Sequence, residues 1–455
     1  MTASLEQIAV TAAAQLLPGE VVYLGPGLPL LVAGHLPRHW GVTVYTEAGL
    51  LAGSPAIGSV ADALATGAGS AIVECVQSAG LIRGGHLDVA VLQARQVSTS
   101  GDLSEPANGG PGPGRSSEVG SCAQRVFAVM ELAGGSGSIV GHCDEPISVQ
   151  GRVGTIISDV GVFTITSGGL TLTEVAPGWT VDQVRQLVEP TIDVLPNPVE
   201  MTFTLPQREP HSKVFSSAAA AVADIPDGST ILIDGFAGPG GMAAYLMLAL
   251  RDQGANDLTM VSNTAGIAAT VGFGTPPGSR TIDHSVLVLN GQIKKALASF
   301  PVSPSPSRPT PFELAYLRGE VDLELVPQGT LAERIRAGGF GIAAFYTPTG
   351  AGTAVAEGKP TRTIDGREQV LESGIQADFA LLRALRADTM GNLVYHGTSR
   401  NFNAVMAPAA RVTIVEVDEI VEPGQLSPEA IVTPGAFVQR VVQRPADFSA
   451  YEVDE

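Results

Sequence analysis

The chain has little cysteine, few aromatic residues, a deficit of positive charge and no long apolar run, and each shortage closes off a class of protein. Its cysteines are Cys75, Cys122 and Cys143. An odd number with no C-x-x-C pair argues against a disulfide framework and fits a reducing cytoplasm. Lys and Arg total 26 against 45 Asp and Glu, a net charge of −19. A surface so acidic argues against nucleic acid or an anionic membrane as partner. It leaves room for an anionic ligand, which a few local cations and helix N-termini can hold. No segment has the roughly 20 consecutive apolar residues that span a bilayer. Residues Met1–Gln7 show no basic stretch leading into an apolar one, so a cytoplasmic location is expected.

Apolar residues, 44% of the chain, are plentiful, with 54 Gly and 32 Pro. That balance suits packed α/β layers joined by glycine turns. A chain of 455 residues exceeds one ordinary core, so two or more domains are expected.

The remainder is organised around Val42-Thr43-Val44-Tyr45-Thr46-Glu47-Ala48-Gly49. Its β-branched and aromatic start predicts a buried strand, and a carboxylate then stands before a glycine turn. Open α/β sheets present reactive groups at that end of a strand. An isolated Glu there could equally cap the next helix. Upstream, Val21–Leu24 predicts a strand running into Gly25-Pro26-Gly27-Leu28-Pro29, with a helix from about Leu30. Strand, glycine loop and helix together aim backbone amides at an anion or oxyanion, although Gly-x-Gly alone is more often a tight turn. Ala71–Val76 reads as a further strand. Ser98–Gly120, rich in Gly, Pro and Ser, reads as a long loop of the kind that tends to be functional.

Two distant segments match block by block. Asp88–Ala94 followed by Thr99-Ser100-Gly101-Asp102-Leu103 corresponds to Asp378–Ala384 followed by Thr389-Met390-Gly391-Asn392-Leu393. Arg125–Val129 corresponds to Arg411–Val415, and Pro18-Gly19-Glu20 with its strand and loop to Asp227–Gly238. The Glu47 stretch aligns with Asn263-Thr264-Ala265-Gly266, so one copy carries the carboxylate and the other carries Thr264. The chain is therefore expected to be two copies of one α/β fold. The seam is expected in the proline-marked stretch Leu195–Pro210. Asp88 and Asp102 are expected to serve strand ends and turns. Cys122 has no adjacent base and reads as a space-filling residue.

Several stretches resemble the class I CoA-transferases, in particular the succinyl-CoA:3-oxoacid type: Pro327-Gln328-Gly329-Thr330 through Gly339, Arg83-Gly84-Gly85-His86, Arg400-Asn401-Phe402-Asn403 and Ala344-Phe345-Tyr346-Thr347. The resemblance implies two related α/β domains packed around a shared cleft. Residues 1–200 would be the β-subunit-like domain, 201–211 a linker, and 212–455 the α-subunit-like domain, an order reversed from the usual fusion. It makes Glu47 the catalytic nucleophile, forming a glutamyl-CoA thioester. Gly25, Gly27 and Gly120 would supply the oxyanion hole. Gly235, Gly238, Gly240 and Gly241 would receive CoA, and Gln328, Asn263 and Ala48 would meet substrate. No metal and no permanently bound cofactor is implied, coenzyme A being a substrate beside an acyl-CoA and a small carboxylic acid. A homodimer is the implied assembly. The chain departs from the family pattern at Ala48, where Asn is usual, at Met242, where Pro is usual, and at Val119-Gly120-Ser121-Cys122. Hydrolysis of an acyl-CoA, or C–C cleavage of a 3-oxoacyl-CoA with Glu47 as base, would be alternatives on the same scaffold, and a non-catalytic CoA-binding protein is a third.

Overall fold

The computed structural model describes residues 2–45, 49–52, 69–105, 116–236, 241–267, 276 and 278–453. It divides into two compact units, Met1–His211 and Ser212–Glu455.

In the first unit, helix α1 (Leu5–Ala14) opens on a capping box in which Ser4 and Gln7 satisfy each other's backbone amides. Its apolar residues Ile8, Ala9, Ala12 and Ala13 are buried in one core with Val22, Leu24, Val44, Val89 and Phe127. The strands are β1 (Val21–Leu24), β2 (Thr43–Tyr45), β3 (Leu50–Ala52), β4 (Ala71–Ile72), β5 (Val89–Gln93), β6 (Gln96–Ser98), β7 (Leu103–Ser104), β8 (Arg125–Met130), β9 (Ser138–Val140), β10 (Val153–Ser158), β11 (Gly161–Thr166), β12 (Gly169–Val175) and β13 (Asp193–Glu200). The main sheet runs β13-β12-β11-β10-β8-β5-β1-β2-β3-β4. Its centre, β10-β8-β5-β1-β2, is parallel throughout. Strands covered on both faces should be apolar without alternation, and all four residues of β1 are indeed buried. The further helices are α2 (Cys75–Arg83), α3 (Ser116–Cys122) and α4 (Val181–Leu187).

Three expectations change here. The stretch after Gly27 forms a 3-10 helix, Leu28–His35, two residues earlier than expected. The strand expected over Ala71–Val76 stops at Ile72, and Cys75 starts α2, which buries Ser78, Leu81 and Ile82. Spacing of 3 and 4 residues there outweighs the β-branched start. Leu195–Pro198 lies inside β13 and not in a linker; β13 is an edge strand, where proline's missing amide costs no ladder bond. The chain beyond it is laid on the first unit. Met201 is buried, the Arg208 guanidinium donates to Ala14 O at 2.9 Å, and it sits 5.5 Å from the Trp40 ring centroid.

The second unit holds β14 (Val214–Phe215), β15 (Thr230–Ile233), β16 (Leu258–Thr264), β17 (Ser279–Thr281), β18 (Ile293–Phe300), β19 (Asp322–Leu325), β20 (Ala344–Thr347), β21 (Thr361–Ile364), β22 (Arg367–Ser373), β23 (Ala377–Arg383), β24 (Arg386–Asp388), β25 (Leu393–Val394), β26 (Ala410–Val417), β27 (Glu419–Val421), β28 (Arg440–Gln443) and β29 (Tyr451–Val453). Its helices are α5 (Ala218–Val222), α6 (Ala244–Gln253), α7 (Ser285–Leu289), α8 (Pro311–Leu317), α9 (Gln328–Gly339) and α10 (Asn401–Met406). The main sheet runs β14-β28-β26-β23-β15-β16-β18-β19 and is parallel. The polar stretch Glu357–Arg367 is exposed, as its composition suggests, yet it builds β21 of a three-stranded antiparallel sheet with β20 and β22.

The two units repeat one topology. Parallel β10-β8-β5-β1-β2 in the first corresponds to parallel β28-β26-β23-β15-β16 in the second. Each also carries a small sheet with the same pairing, β7-β6-β9 and β25-β24-β27. Matching side chains hold matching places. Asp88 Oδ2 accepts from the Val21 amide at 2.8 Å, and Asp378 Oδ2 from the Thr230 amide at 2.9 Å. Asp102 Oδ1 accepts from Gly151 N at 2.9 Å, and Asn392 Oδ1 from Gly435 N at 2.8 Å. The expected roles of Asp88 and Asp102 at strand ends and turns follow directly.

Candidate active site

Sequence reasoning places the chemistry at the carboxyl ends of β1 and β2. These strands pair in parallel register, Tyr23 beside Tyr45, so the chain leaves both at the same edge of the sheet. Glu47 and Ala48 lie outside the described residues; Tyr45 and Gly49 lie within them. Tyr45, the last residue of β2, is buried, and its hydroxyl pairs with Ser78 Oγ at 2.5 Å. Gly49 has φ +78° and accepts from the Val73 amide at 2.9 Å through its carbonyl. A Cβ there would come within 2.4 Å of Val73 O, so only glycine fits.

The glycine loop after β1 divides its roles. The Gly25 amide extends the ladder, donating to Val91 O at 2.9 Å. That donor is already spent, which corrects the expectation that Gly25 would serve an oxyanion. Gly27 is exposed, with φ +83° and ψ −130°, and leads into the 3-10 helix. Gln93, at the end of β5, reaches over this turn and accepts from the Leu28 amide at 3.3 Å. Gly120, also expected at the oxyanion hole, lies within α3, where a Cβ would meet Val149 Cγ2 at 2.4 Å. The space that a Cβ would take there is filled by the Val149 side chain. Cys122 sits beside it, and burial pushes its thiol up, with Glu118 adding to the effect. An un-ionised thiol is a poor nucleophile.

In the second unit, Gly235 follows β15 and is buried. A Cβ on it would collide with Thr264 Oγ1 at 2.4 Å, His284 Cε1 at 2.7 Å and Ser262 Oγ at 2.9 Å. Gly241 is buried as well, while Gly238 and Gly240 lie outside the described residues. Thr264, the counterpart of Glu47, donates to Gly235 O at 3.2 Å. The hydroxyl at this position ties the end of β16 to the segment after β15. Asn263 is buried at the end of β16, and its Nδ2 has no hydrogen-bond partner among the described residues. A buried amide donor without an acceptor is costly, and it suits a ligand carbonyl or carboxylate. Gln328 is half-exposed at the first turn of α9, whose N-terminus follows β19 at the carboxyl edge of the same sheet.

The sequence left several polar groups at this edge unassigned. Asp234 is fully buried directly after β15, and burial raises its carboxyl to about 7 against the pull of the Phe236 amide. Asn403 on α10 meets it. His284 is fully buried against Ser262 Oγ at 3.0 Å, and burial lowers its basicity, keeping the ring neutral. Glu416 at the end of β26 accepts from the Leu246 amide at 2.9 Å in the first turn of α6, and burial raises it to about 7. Asp234 ends an apolar strand run, which is the one local signal that marked it. Among the described residues, no group of three or more His, Cys, Asp or Glu could hold a metal, and no helix is long and apolar enough to cross a membrane.

Residues 215–444 match the family model described as Coenzyme A transferase. The chain is similar to the A-subunit of a probable succinyl-CoA:3-ketoacid coenzyme A transferase from Bacillus subtilis (strain 168), 49% identical over 50% of this chain and 89% of that one. It is also similar to the A-subunit of the 3-oxoadipate CoA-transferase from Pseudomonas putida, 48% identical over 51% of this chain and 93% of that one. Among solved structures, an acyl-CoA transferase of Escherichia coli O157:H7 in a thioester complex with CoA aligns with 23% identity and a TM-score of 0.43, over 53% of this chain and 49% of that one. Identity near one half, carried along almost the whole of these two A-subunits, joins the family match from 215 to 444, and on that ground the chain belongs to the coenzyme A transferase family.

Proposed function

We propose that the protein moves CoA from an acyl-CoA to a carboxylic acid, with residues 212–455 in the part of an A-subunit and residues 1–200 in the part of its companion. One observation carries the reading. Two units of one topology are present, and the second, similar to the A-subunits of proteins named CoA-transferases, carries Thr264 where the first carries Glu47. The nucleophile therefore belongs to the first unit.

In this mechanism the Glu47 carboxylate attacks the thioester carbonyl, and the C–S bond breaks to release CoA thiolate. The thiolate then attacks the Glu47 carbonyl of the mixed anhydride, freeing the donor acid and leaving a glutamyl-CoA thioester. The acceptor carboxylate repeats both steps in reverse order and restores Glu47. Each tetrahedral oxyanion needs fixed donors. The Gly27 turn is the candidate donor in the first unit; Asn263, whose Nδ2 has no hydrogen-bond partner among the described residues, is assigned to substrate. Gly235 and Gly241, with Gly238 and Gly240, take the CoA, and Gln328 takes the acyl group or acid. Coenzyme A is a substrate here. A homodimer in the cytoplasm completes the reading.

The test is mass spectrometry of protein incubated with a panel of acyl-CoAs. A gain of the mass of CoA, less water, on the peptide holding Glu47 names nucleophile and donor together. Thioester loss that proceeds at full rate without any carboxylic acid acceptor would replace transfer by hydrolysis.

A further inference from the structure

Asn263 Nδ2, Ser299 Oγ and Thr330 Oγ1 are buried in the second unit without a hydrogen-bond partner among the described residues. Asn263 is the penultimate residue of β16, and Ser299 that of β18. These strands run in parallel with Ser262 beside Ala298 and Thr264 beside Phe300, so Asn263 and Ser299 stand side by side. Side chains alternate along a strand. Met260 and Ala296 share a core with Leu246 of α6 and Leu287 of α7, which puts Asn263 and Ser299 on the opposite face of the sheet. Helix α9 covers that face. Its Arg334 donates from Nη1 to Glu324 Oε1 at 2.7 Å, and Lys295, on the same face of β18 as Ser299, donates to Glu324 Oε2 at 3.1 Å. The chain enters α9 beside Ser299, since the Val326 amide donates to Ala298 O at 3.0 Å. Thr330 stands in the first turn of this helix and is 4% exposed. No side chain caps that helix end, whose N-cap is Pro327.

Each of these atoms is costly to bury alone. Together they are neutral donors on one face and at one edge, beside a helix N-terminus that favours negative charge. We propose that Asn263, Ser299 and Thr330 hold the carboxylate of the acid substrate through hydrogen bonds without a cation, making Ser299 and Thr330 specificity-determining residues. The inference deepens the proposed transfer to a carboxylic acid and rests on it. Lys295 and Arg334, the cations on this face, are engaged by Glu324, and Arg334 also lies 3.8 Å from Glu372. Asp234, two residues beyond the Leu232–Val261 pair, is in step with Asn263. Its oxygens accept from the Phe236 amide at 2.7 Å and Asn403 Nδ2 at 2.9 Å. Burial raises its carboxyl to about 7, so below neutral pH it is largely protonated and repels a second carboxylate little. Entry is from the helix end. Gln328 is half-exposed, Gly329 is exposed, and a Cβ on Gly329 would meet nothing beyond its own helix within 4 Å.

The test uses the full chain with acetate, succinate and 3-oxoadipate as probes. It measures their dissociation constants and that of CoA by calorimetry, KM and kcat for the tightest acid as acceptor, and Tm without ligand. Thr330→Val keeps the side-chain shape and removes the hydroxyl, and Ser299→Ala removes the other. Each should weaken the acid about tenfold, the value of one hydrogen bond to a charged group. KM for the acid should rise in parallel, with CoA binding unchanged. Tm should hold or rise, because a buried hydroxyl without a partner has been taken away. Thr330→Ser, which restores the hydroxyl, should bind the acid as wild type does. A lowered Tm in Thr330→Val with unchanged acid binding would make the hydroxyl structural and overturn the proposal. Unchanged acid binding with a raised Tm would overturn it too, leaving the three atoms around water alone. Wild-type protein that binds none of the three acids and transfers CoA to none would instead overturn the proposed transfer, and this site with it.

Discussion

Gln93 roofs the Gly27 turn: its Oε1 accepts from the Leu28 amide at 3.3 Å, and a Cβ on Gly27 would approach that oxygen to 2.3 Å. Gln93 can swing away, but the backbone of Gly27 cannot relax as easily. With φ +83° and ψ −130° it occupies a conformation that L side chains rarely adopt. Gly27→Ala should therefore cost about 1–3 kcal/mol, read as a lowered Tm. If the turn serves the chemistry, kcat should fall by a larger factor than that strain implies. A Gly27→Ala enzyme with lowered Tm and intact kcat would place the turn in folding alone.

Glu47 separates the two halves chemically. Glu47→Gln keeps the size of the proposed nucleophile and removes its charge. Loss of a covalent route costs about four to six powers of ten in kcat, against the roughly 1 kcal/mol of a helix cap. Transfer assays, with deamidation excluded by mass, should show activity at background. Borohydride should inactivate wild-type protein only after exposure to acyl-CoA, since it reduces a thioester and spares a carboxylate.

The repeated strand-end carboxylates should behave alike. Asp378→Ala deprives the Thr230 amide of its acceptor, and Asp88→Ala does so to Val21. Each should cost about 1–3 kcal/mol, the range for a donor left unsatisfied on partial burial. Asp88 also accepts from Gln124 Nε2 at 3.2 Å, so its loss should cost at least as much as that of Asp378. Denaturant titration of the two variants checks the order.

Glu416 should leave a mark on stability against pH. Burial raises its carboxyl from an ordinary 4.5 to about 7, despite Arg444 and Arg383 nearby. The folded state therefore holds a proton that the unfolded state has released between those values. Stability contributed by this group falls as pH rises from 4.5 towards 7 and is level above. Glu416→Gln cannot titrate, so the drop in Tm between pH 5 and pH 8 should be smaller in the variant than in wild type. An identical drop would mean that Glu416 is ionised in the fold across the whole range.

Much of this architecture is legible in local pattern. Apolar, β-branched runs such as Val21–Leu24 and Thr230–Ile233 become central parallel strands because such strands are covered on both faces. The block match of Asp88–Leu103 with Asp378–Leu393 predicts the doubled topology, since a repeated pattern of strands and turns packs the same way twice. The family motif around Gln328 likewise lies in one continuous stretch. What only the tertiary structure decided is where polar atoms are spent. Local pattern places Gly25 in a loop, yet a neighbouring strand 66 residues on takes its amide. It offers Gly120 as bare backbone, yet Val149 fills the space. Cys75 and Val76 look like strand until the buried face of α2 forms. Asp234 and Asn403 stand 169 residues apart. Nothing local links them, because burial of a carboxyl and the choice of its partner are settled only when distant segments close on the same point.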